Sequence, residues 1–166
     1  MNEIFFQNAH VTVLVLRRKL GEPMYGLIST PRYAEIAEHR WHAARGKDKK
    51  SFYARTNVKR TDGKWRTLLM HQVLLGHYAD HADRDGLNNQ DYNLRTATGS
   101  QSSANRGMMK NSKSGHRGVW WSKRSQKWQT GVRVSRKMIH GGYFDKLEDA
   151  VSAVDSLRKQ CFGEYA

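Results

Sequence analysis

An alternating run of polar and apolar residues near the C-terminus is the feature that most restricts the fold. In KWQTGVRV, residues 127–134, the polar side would carry Lys127, Gln129, Gly131 and Arg133. The other side would carry Trp128, Thr130, Val132 and Val134. This period of two predicts a β-strand with one covered and one open face. RGVWWS and MIHGGYF, on either side, predict two neighbouring strands.

The segment that follows carries a helical pattern. In DKLEDAVSAVDSLRKQCF, Asp145 and Glu148 have the spacing of a capping box. The apolar residues recur every three or four positions, as in an amphipathic helix, at Leu147, Ala150, Val151, Val154 and Leu157. We therefore predict a three-stranded antiparallel sheet packed on one helix.

The stretch GMMKNSKSGH, residues 107–116, is rich in Gly, Ser, Lys and Asn and predicts a linker. It would separate an N-terminal region, 1–106, from a C-terminal domain, 117–166. In the first region VTVLVL and MYGLIS predict strands, and TPRYAEIAEHRWHA predicts a helix with Thr30 as N-cap and Pro31 at its first position. FYARTNV and WRTLLM predict a hairpin around an Asp-Gly turn, and LLMHQVLLG predicts a short buried helix that ends at Gly76.

The charge of the chain indicates its partner. No Asp or Glu lies between Asp91 and Asp145, whereas eleven Lys and Arg residues do. The whole chain has 29 Lys and Arg against 15 Asp and Glu, a formal charge of +14. This excess favours nucleic acid ahead of an anionic membrane. VTVLVL is the longest apolar run and is too short to span a bilayer, so we expect no membrane association and a cytoplasmic location.

Four aspartates, three asparagines and one histidine lie close together in DHADRDGLNNQDYNLRTATGSQS, residues 80–102. A calcium loop of the EF-hand kind does not fit, because His81 and Tyr92 would fall on ligand positions. A phosphodiester-cleaving site does fit, since that reaction needs a base for water and a divalent cation at the phosphate. Adjacent Asp80 and His81 on a strand point to opposite faces and can serve these two roles. GLNN predicts a turn, NLRTAT a second strand, and SQSSANR a helix with Ser100 as its cap.

With LLMHQVLLG before it, this stretch resembles the HNH endonucleases of the His-Me finger class over about residues 50–106. SGHRGVWWSKRSQKWQTGVRVSRKMIHGGYFDKLEDAVSAVD closely resembles the DNA-binding domain of plant ethylene-response factors, the apetala-two type. The two in this order are similar to phage homing-type HNH endonucleases. The resemblance implies an α+β fold, with a ββα-metal finger followed by the small three-stranded sheet and its helix. It also implies a phage-encoded protein that acts inside a bacterial host.

The family's roles map onto matching positions of this chain. His81 would be the general base, and Asn93 would hold the loop of the finger by backbone hydrogen bonds. Asp80 would bind one Mg²⁺ or Mn²⁺ ion per finger. The family commonly places an Asn ligand where this chain has Ser102, and Asn105, one helical turn later, is a substitute. His71 is expected to be a hydrogen-bonded core residue, and Asp83 and Asp85 are expected to support the turn.

The open face of the C-terminal sheet is the expected DNA-binding surface, because such a sheet fits the major groove. The candidate residues are Arg117, Trp120, Ser122, Arg124, Lys127, Gln129, Arg133 and His140. Trp121, Trp128 and Phe144 are expected in the core. The resemblance thus implies a metal-dependent endonuclease on double-stranded DNA. A monomer with one finger would nick one strand. The alternative is a DNA-binding regulatory or architectural protein with a decayed finger, since Ser102 departs from the family pattern.

Overall fold

The computed structural model describes residues 1–46, 50–106 and 112–166. Within them the chain forms two compact units, Met1–Ala97 (unit 1) and Thr98–Ala166 (unit 2). The fold is mixed α+β, with several small sheets and few helices in the described part of the chain. None of the described helices is long and apolar enough to cross a membrane.

Unit 1 consists mostly of short strands. They are β1 Ile4–Gln7, β2 Val11–Leu16, β3 Met24–Ser29, β4 His42–Arg45, β5 Phe52–Lys59, β6 Trp65–Leu69, β7 Ala79–His81, β8 Asn88–Asn89 and β9 Leu94–Thr96. A 3₁₀ helix at Thr30–Glu35 and helix α1 at Met70–Leu75 complete the unit. The strands pair in three sheets with the orders β1-β2-β3-β8, β4-β5-β6 and β7-β9.

The first sheet connects the N-terminus with the acidic stretch. β2 and β3 confirm the two predicted strands and are antiparallel. β8 pairs in parallel with β3, with Leu27 opposite Asn88 and Ile28 opposite Asn89. Leu14, Leu16 and Ile28 of this sheet have no exposed surface, which places the core of unit 1 beneath it. The N-terminal sheet therefore supports the segment that follows Asp80 and His81.

The helix predicted from residue 30 is wrong beyond its first six residues. The segment is a 3₁₀ helix that ends at Glu35, and the chain enters β4 at His42. Ser29, with an extended backbone, rather than Thr30 is the N-cap, and the Thr30 hydroxyl bonds that of Thr12 at 2.9 Å. Ile36 and Trp41 are buried as predicted for a helical face, but without a helix. The Trp41 indole instead donates to the Ile36 carbonyl at 2.8 Å, which satisfies it locally.

The predicted hairpin and the short helix of unit 1 are confirmed. β5 and β6 are antiparallel, with Lys59 opposite Trp65. Helix α1 ends at Gly76, whose φ of 91° lies in the left-handed region that glycine tolerates. Gly86 is required for another reason, since a β-carbon there would overlap the Phe52 carbonyl and the Tyr53 ring. The acidic stretch therefore packs directly on the backbone of β5.

Unit 2 contains the predicted three-stranded sheet and its helix. The elements are α2 Gly99–Ala104, β10 Val119–Ser122, β11 Lys127–Val134, β12 Lys137–Phe144, α3 Leu147–Phe162 and a 3₁₀ turn at Gly163–Tyr165. The sheet is antiparallel in the order β10-β11-β12, and α3 packs on β11 and β12. Ala150 and Val154, on the predicted apolar stripe, have no exposed surface.

Two packing details of unit 2 differ from the prediction. No capping box starts α3, because Lys146 is its N-cap and Asp145 pairs with the Lys127 ammonium at 3.2 Å. Trp121 is not a core residue, since 42% of its surface is exposed; its ring meets that of Trp128 edge-on, with 5.1 Å between centroids. Trp128 and Phe144 are half-buried.

The division between the units falls before α2, so α2 belongs with the C-terminal sheet rather than with residues 1–106. The physical reason is Arg117, whose guanidinium donates to the carbonyls of Ser103, Ala104 and Arg106 near the end of α2. Of the predicted linker, residues 107–111 lie outside the described part of the chain. Ser114 is buried and donates to the Val119 carbonyl at 2.7 Å, so this residue of the predicted linker packs against the start of β10.

Candidate functional site

The two-stranded sheet β7-β9 positions the acidic and imidazole side chains predicted to do chemistry. Asp80 lies opposite Arg95, and His81 lies opposite Leu94. The Asp80 Oδ2 atom is 3.5 Å from Arg95 Nε, and the two side chains are 12% and 16% exposed. Because neighbouring residues of a strand point to opposite faces, the Asp80 carboxylate and the His81 ring leave the strand in different directions.

A buried asparagine contacts the His81 ring. His81 is 6% exposed and Asn89 is 1% exposed. The His81 Nε2 atom lies 3.3 Å from Asn89 Oδ1. The Nδ2 atom of the same amide donates to the Leu87 carbonyl at 3.2 Å. Asn89 belongs to β8, so its position depends on the pairing of β8 with β3.

Two more rings surround His81. The His71 ring, from α1, meets it edge-on with centroids 4.8 Å apart, and the Tyr53 ring, from β5, lies 6.0 Å away. His71 is buried, as predicted, but its Nδ1 atom has no hydrogen-bond partner among the described residues. The expectation of a hydrogen-bonded His71 is therefore wrong at that atom, because α1 directs the ring against other rings rather than against polar groups.

Burial controls the protonation of both histidines. Burial, and to a smaller extent the charge of the nearby His81, lower the pKa of His71 to about 3. Burial also lowers the pKa of His81, against the opposing effects of the Asn89 hydrogen bond and the carboxylates of Asp83, Asp80 and Asp85. The two imidazoles are therefore neutral at pH 7, the form in which a histidine accepts a proton.

Asn93 fixes the loop between β7 and β9. Its Oδ1 atom accepts from the Asp83 amide at 2.9 Å, and its Nδ2 atom donates to the Asn88 carbonyl at 2.7 Å and to Asp83 Oδ1 at 2.9 Å. Its own carbonyl accepts from the Ala82 amide at 2.9 Å. One side chain, 2% exposed, thus joins both ends of residues 82–93, which we call the finger loop.

Two carboxylates shape the turn inside the finger loop, as predicted. Asp83 Oδ1 accepts from the Asp85 amide at 2.8 Å, and Asp85 Oδ1 accepts from the Leu87 amide at 3.0 Å. Asp83 Oδ2 also accepts from Asn88 Nδ2 at 2.8 Å. Burial acts to raise the pKa of Asp83, but the hydrogen bonds from Asp85, Asn88 and Asn93 lower it overall. These carboxylates are therefore engaged in holding the turn.

The remaining candidate metal ligands lie in unit 2. Ser102 is within α2, and Asn105 is its C-cap and is 9% exposed. The prediction that Ser100 caps this helix is wrong. The N-cap is Thr98, which forms a capping box with Gln101. Among residues 1–46, 50–106 and 112–166, no three His, Cys, Asp or Glu side chains gather as a metal-binding group.

On the C-terminal sheet, three of the predicted DNA-binding side chains form a hydrogen-bonded row. The Trp120 indole donates to Gln129 Oε1 at 3.1 Å, and Gln129 Nε2 lies 3.4 Å from His140 Nδ1. The Trp120 ring also covers Gly131, where a β-carbon would be 3.1 Å from it. A β-carbon there would also be 3.0 Å from the Ile139 carbonyl oxygen, so glycine at position 131 leaves room for both neighbours.

The other predicted DNA-binding residues differ in their surroundings. Arg124 and Arg133 are exposed, and Ser122 is half-buried. Arg117 contacts the carbonyls at the end of α2, and Lys127 pairs with Asp145. Within unit 2, Arg124 and Arg133 thus present their charge to solvent, whereas Arg117 contributes to the packing of the unit.

Sequence reasoning missed the surroundings of His81. Asn89, His71 and Tyr53 contact its ring from three separate elements. The pair of asparagines in GLNN was a usable signal. Each amide side chain can both donate and accept hydrogen bonds, so two of them after a turn could bond to other protein groups nearby. Tyr53 and His71 gave no signal, since neither lies near residue 81 in sequence.

Comparisons with known proteins give one informative relationship. No protein-family model matches the chain, and no solved structure matches it. The chain is 33% identical to Protein 3.8 of Escherichia phage T7 over 91 residues, which cover 55% of this chain and 74% of that protein. A phage relative supports the phage origin that the resemblance implied. Because most of the relative's length is matched at this identity, the chain belongs to the family of phage T7 Protein 3.8.

Proposed function

We propose that the protein is a metal-dependent HNH-type endonuclease that nicks double-stranded DNA. The observation that carries the proposal is the His81 imidazole at the end of β7, neutral and held by Asn89, beside a loop that Asn93 closes. A fixed, neutral imidazole is what a general base for water requires. The overall charge of +14 supports a polyanionic substrate.

In the proposed reaction His81 accepts a proton from a water molecule as the water oxygen attacks phosphorus. The bond between phosphorus and the 3′ oxygen breaks, and the 3′ oxygen takes up a proton from solvent, which leaves a 5′-phosphate and a 3′-hydroxyl, as the resemblance implies. The burial that lowers the pKa of His81 keeps the ring unprotonated at neutral pH. Asn93 contributes by holding residues 82–93 in one conformation, so that His81 stays at the end of the strand.

A divalent cation fits the donor chemistry of Asp80. Its carboxylate supplies hard oxygen, the ligand type that Mg²⁺ and Mn²⁺ prefer, and the Arg95 guanidinium at 3.5 Å from Oδ2 orients it. When bound, such an ion neutralises the charge that develops on the phosphate and on the leaving oxygen. The assignment of a further ligand to Ser102 or Asn105 rests on the resemblance alone.

A polar sheet face in unit 1 supports DNA binding near His81. Tyr53, which contacts the His81 ring, shares one face of β5 with Arg55, Asn57 and Lys59, because alternate residues of a strand point the same way. Trp65 lies opposite Lys59 and is 71% exposed. Cations and an exposed aromatic ring on one face are suited to phosphates and bases.

The C-terminal sheet supplies the second DNA-binding surface of the proposal. Arg124 and Arg133 are exposed there, and the row Trp120–Gln129–His140 is held in place by its own hydrogen bonds. If five to eight phosphates are neutralised, log K should fall with log salt at a slope of about −5 to −7. A slope near zero would remove the DNA-binding part of the proposal.

Plasmid relaxation tests the nuclease activity. Wild type should convert supercoiled plasmid to the nicked form with Mg²⁺ or Mn²⁺ and not with EDTA. His81→Ala should lose at least about a hundredfold in nicking rate, the lower end of what a general base contributes, and keep its DNA affinity. His10→Ala, at an exposed histidine of unit 1, is the matched control and should nick like wild type. Ser102→Asn should nick as fast or faster.

A DNA-binding regulatory or architectural protein with a decayed finger is the second candidate. Two observations favour it, the 6% exposure of His81 and the serine at position 102. The same assay separates the two functions. Wild type that binds plasmid but never nicks it with either ion, while Ser102→Asn does nick, would establish the decayed finger.

A further inference from the structure

We infer that Arg18 and Arg45, held together on the ring of Phe52, form a clamp for backbone phosphates of DNA other than the phosphate that is cut. We call these three residues the Phe52 clamp. The inference deepens the proposed function and rests on it, because its ligand is the DNA that the proposed nuclease would cut. It assigns DNA binding to two arginines that the sequence patterns did not single out.

Phe52 provides a fixed platform at the start of β5. Its ring is half-buried and packs against the apolar core of unit 1. Next to it, the Gly46 amide donates to the Ser51 carbonyl at 2.8 Å, which closes the end of the β4-β5 pair. Cations are attracted to the face of an aromatic ring, so a ring anchored in this way can hold guanidinium groups in a defined position.

Two guanidinium groups lie over the Phe52 ring. The Arg45 Cζ atom is 5.4 Å from the ring centroid, and Arg45 is the residue opposite Phe52 in the β4-β5 register. The Arg18 Cζ atom is 5.6 Å from the same centroid, so the two charges are separated by no more than the sum of these distances, about 11 Å. Successive phosphates of one DNA strand rise by about 3.4 Å along the helix axis, so both charges can act on neighbouring phosphates of one strand.

The turn after β2 fixes the orientation of Arg18, which is half-buried. Its Nε atom donates to the Glu22 carbonyl at 2.6 Å. Gly21, at φ 91°, lies against the guanidinium, and a β-carbon there would overlap the Nη2 atom. No ion pair of Arg18 occurs within the described part of the chain. Since a guanidinium has five N–H donors in a planar fork, Arg18 can bind a phosphate while it keeps its bond to Glu22.

The surroundings of the clamp leave its positive charge in excess. A cavity of about 320 Å³ lies between Phe52 and the finger loop. Its charged lining residues in the described part of the chain are two cations and two carboxylates, Lys50, Arg84, Asp83 and Asp85. These four charges balance one another. Arg18 and Arg45 therefore give this side of the finger loop an excess of positive charge, which attracts a polyanion.

The position of the clamp separates it from the proposed reaction. Phe52 and Tyr53 are consecutive residues of β5, so their side chains point to opposite faces of the sheet. The Tyr53 ring lies 6.0 Å from the His81 ring, whereas the Phe52 ring carries the two arginines. The clamp therefore holds phosphates away from the scissile bond, and it acts on how tightly DNA binds rather than on how fast it is cut.

DNA binding by the full-length chain in EDTA tests the clamp without any cleavage. Fluorescence anisotropy of a labelled duplex at several salt concentrations gives the affinity and its salt dependence. Arg18→Ala and Arg45→Ala should each weaken binding about tenfold and reduce the slope of log K against log salt by about one. Arg40→Ala, at an exposed arginine outside the clamp, is the matched control and should change the affinity less than about twofold. Equal losses in all three variants would show a general effect of charge and would overturn the clamp.

Variants that keep both charges test the role of the ring and of the planar guanidinium. Phe52→Leu retains an apolar side chain but removes the aromatic face, and it should weaken binding about threefold with an unchanged salt slope. Arg18→Lys and Arg45→Lys keep the charge without the fork and should do the same. Wild-type affinity in the folded variants would contradict a clamp organised by Phe52. If Phe52→Leu does not fold, the two lysine variants decide.

Nicking kinetics separate the clamp from the proposed nuclease. Arg18→Ala should raise the DNA concentration needed for half-maximal nicking about tenfold and leave the rate at saturating DNA unchanged. A wild-type protein whose DNA affinity depends on Arg18 and Arg45, but which never nicks, would refute the nuclease and leave the clamp intact. Nicking by a protein that binds DNA equally well without these arginines would do the reverse. Stronger competition by an RNA duplex than by DNA of the same sequence would overturn the assignment of the clamp to DNA.

Discussion

The finger loop and the C-terminal sheet of this protein are ordered by different forces. The loop, residues 82–93, is held by side-chain amides and carboxylates, with Asn93 alone making three side-chain hydrogen bonds. The sheet is held by a regular backbone ladder and by apolar contacts with α3, where Val154 is fully buried. Removing one member of a polar network leaves its buried partners without a hydrogen bond, which lowers the free energy of unfolding at each of them. Truncating an apolar side chain lowers the free energy of unfolding roughly in proportion to the buried area that is lost.

Removal of the Asn93 amide should have the largest effect on stability. Asn93→Ala would leave the Asp83 amide and the Asn88 carbonyl without their partner, a loss of about 3 kcal/mol in the free energy of unfolding. Urea unfolding and hydrogen exchange at the Asp83 amide measure it. Asn57→Ala, at an exposed asparagine, is the control and should cost under about 0.5 kcal/mol. Equal costs for the two variants would refute the loop network.

Acid should weaken unit 1 through His71. Its pKa is lowered from 6.5 to about 3 in the folded state, so the unfolded chain binds the proton more tightly. Stability is therefore complete above pH 6.5 and falls as the pH decreases from there toward 3. Between pH 7 and pH 5 the loss should be about 2 kcal/mol. His71→Phe, which keeps a ring but cannot be protonated, should remove most of this pH dependence in urea unfolding.

Truncation in the apolar part of unit 2 should cost less than loss of Asn93. Val154→Ala removes two methyl groups from a fully buried position against the sheet, which should lower the free energy of unfolding by about 1.5 kcal/mol. The change should leave hydrogen exchange in the finger loop as it is in wild type. Faster exchange at the Asp83 amide in this variant would mean that the two regions are not stabilised separately.

The smallest effect is expected at Trp121. The residue is 42% exposed and its ring meets that of Trp128 edge-on, so Trp121→Ala should cost about 0.5 to 1 kcal/mol despite the size of the side chain. Thermal unfolding followed by far-ultraviolet circular dichroism checks this. A loss above about 3 kcal/mol would show that the residue is a core member, as first expected from its sequence neighbours.

Local sequence patterns predicted the elements whose residues are contiguous. The strands β2, β3 and β11, the hairpin β5-β6 and helices α1 and α3 were all predictable, because a strand or helix repeats its buried face at a fixed spacing. The same reasoning failed for the segment after Thr30. There Ile36 and Trp41 have helical spacing, but a side-chain bond to a nearby carbonyl buries the indole without a helix.

Only those residues of the candidate site that are adjacent in sequence or belong to a motif could be predicted. Asp80 and His81 were identified from their adjacency, and Asn93 from its place in a resembling motif. That Asn89, His71 and Tyr53 contact the His81 ring could not be predicted, since they come from a parallel pairing of β8, from α1 and from β5.

The sequence by itself determined the basic charge, the amphipathic elements and the polar composition of the finger loop. These are properties of single residues and of their spacing along the chain. The tertiary structure decided which nitrogen of His81 faces an acceptor, how deeply both histidines are buried, and that Arg117 holds α2 beside the C-terminal sheet. Those outcomes depend on contacts between distant residues, which form only once the path of the chain has brought them together.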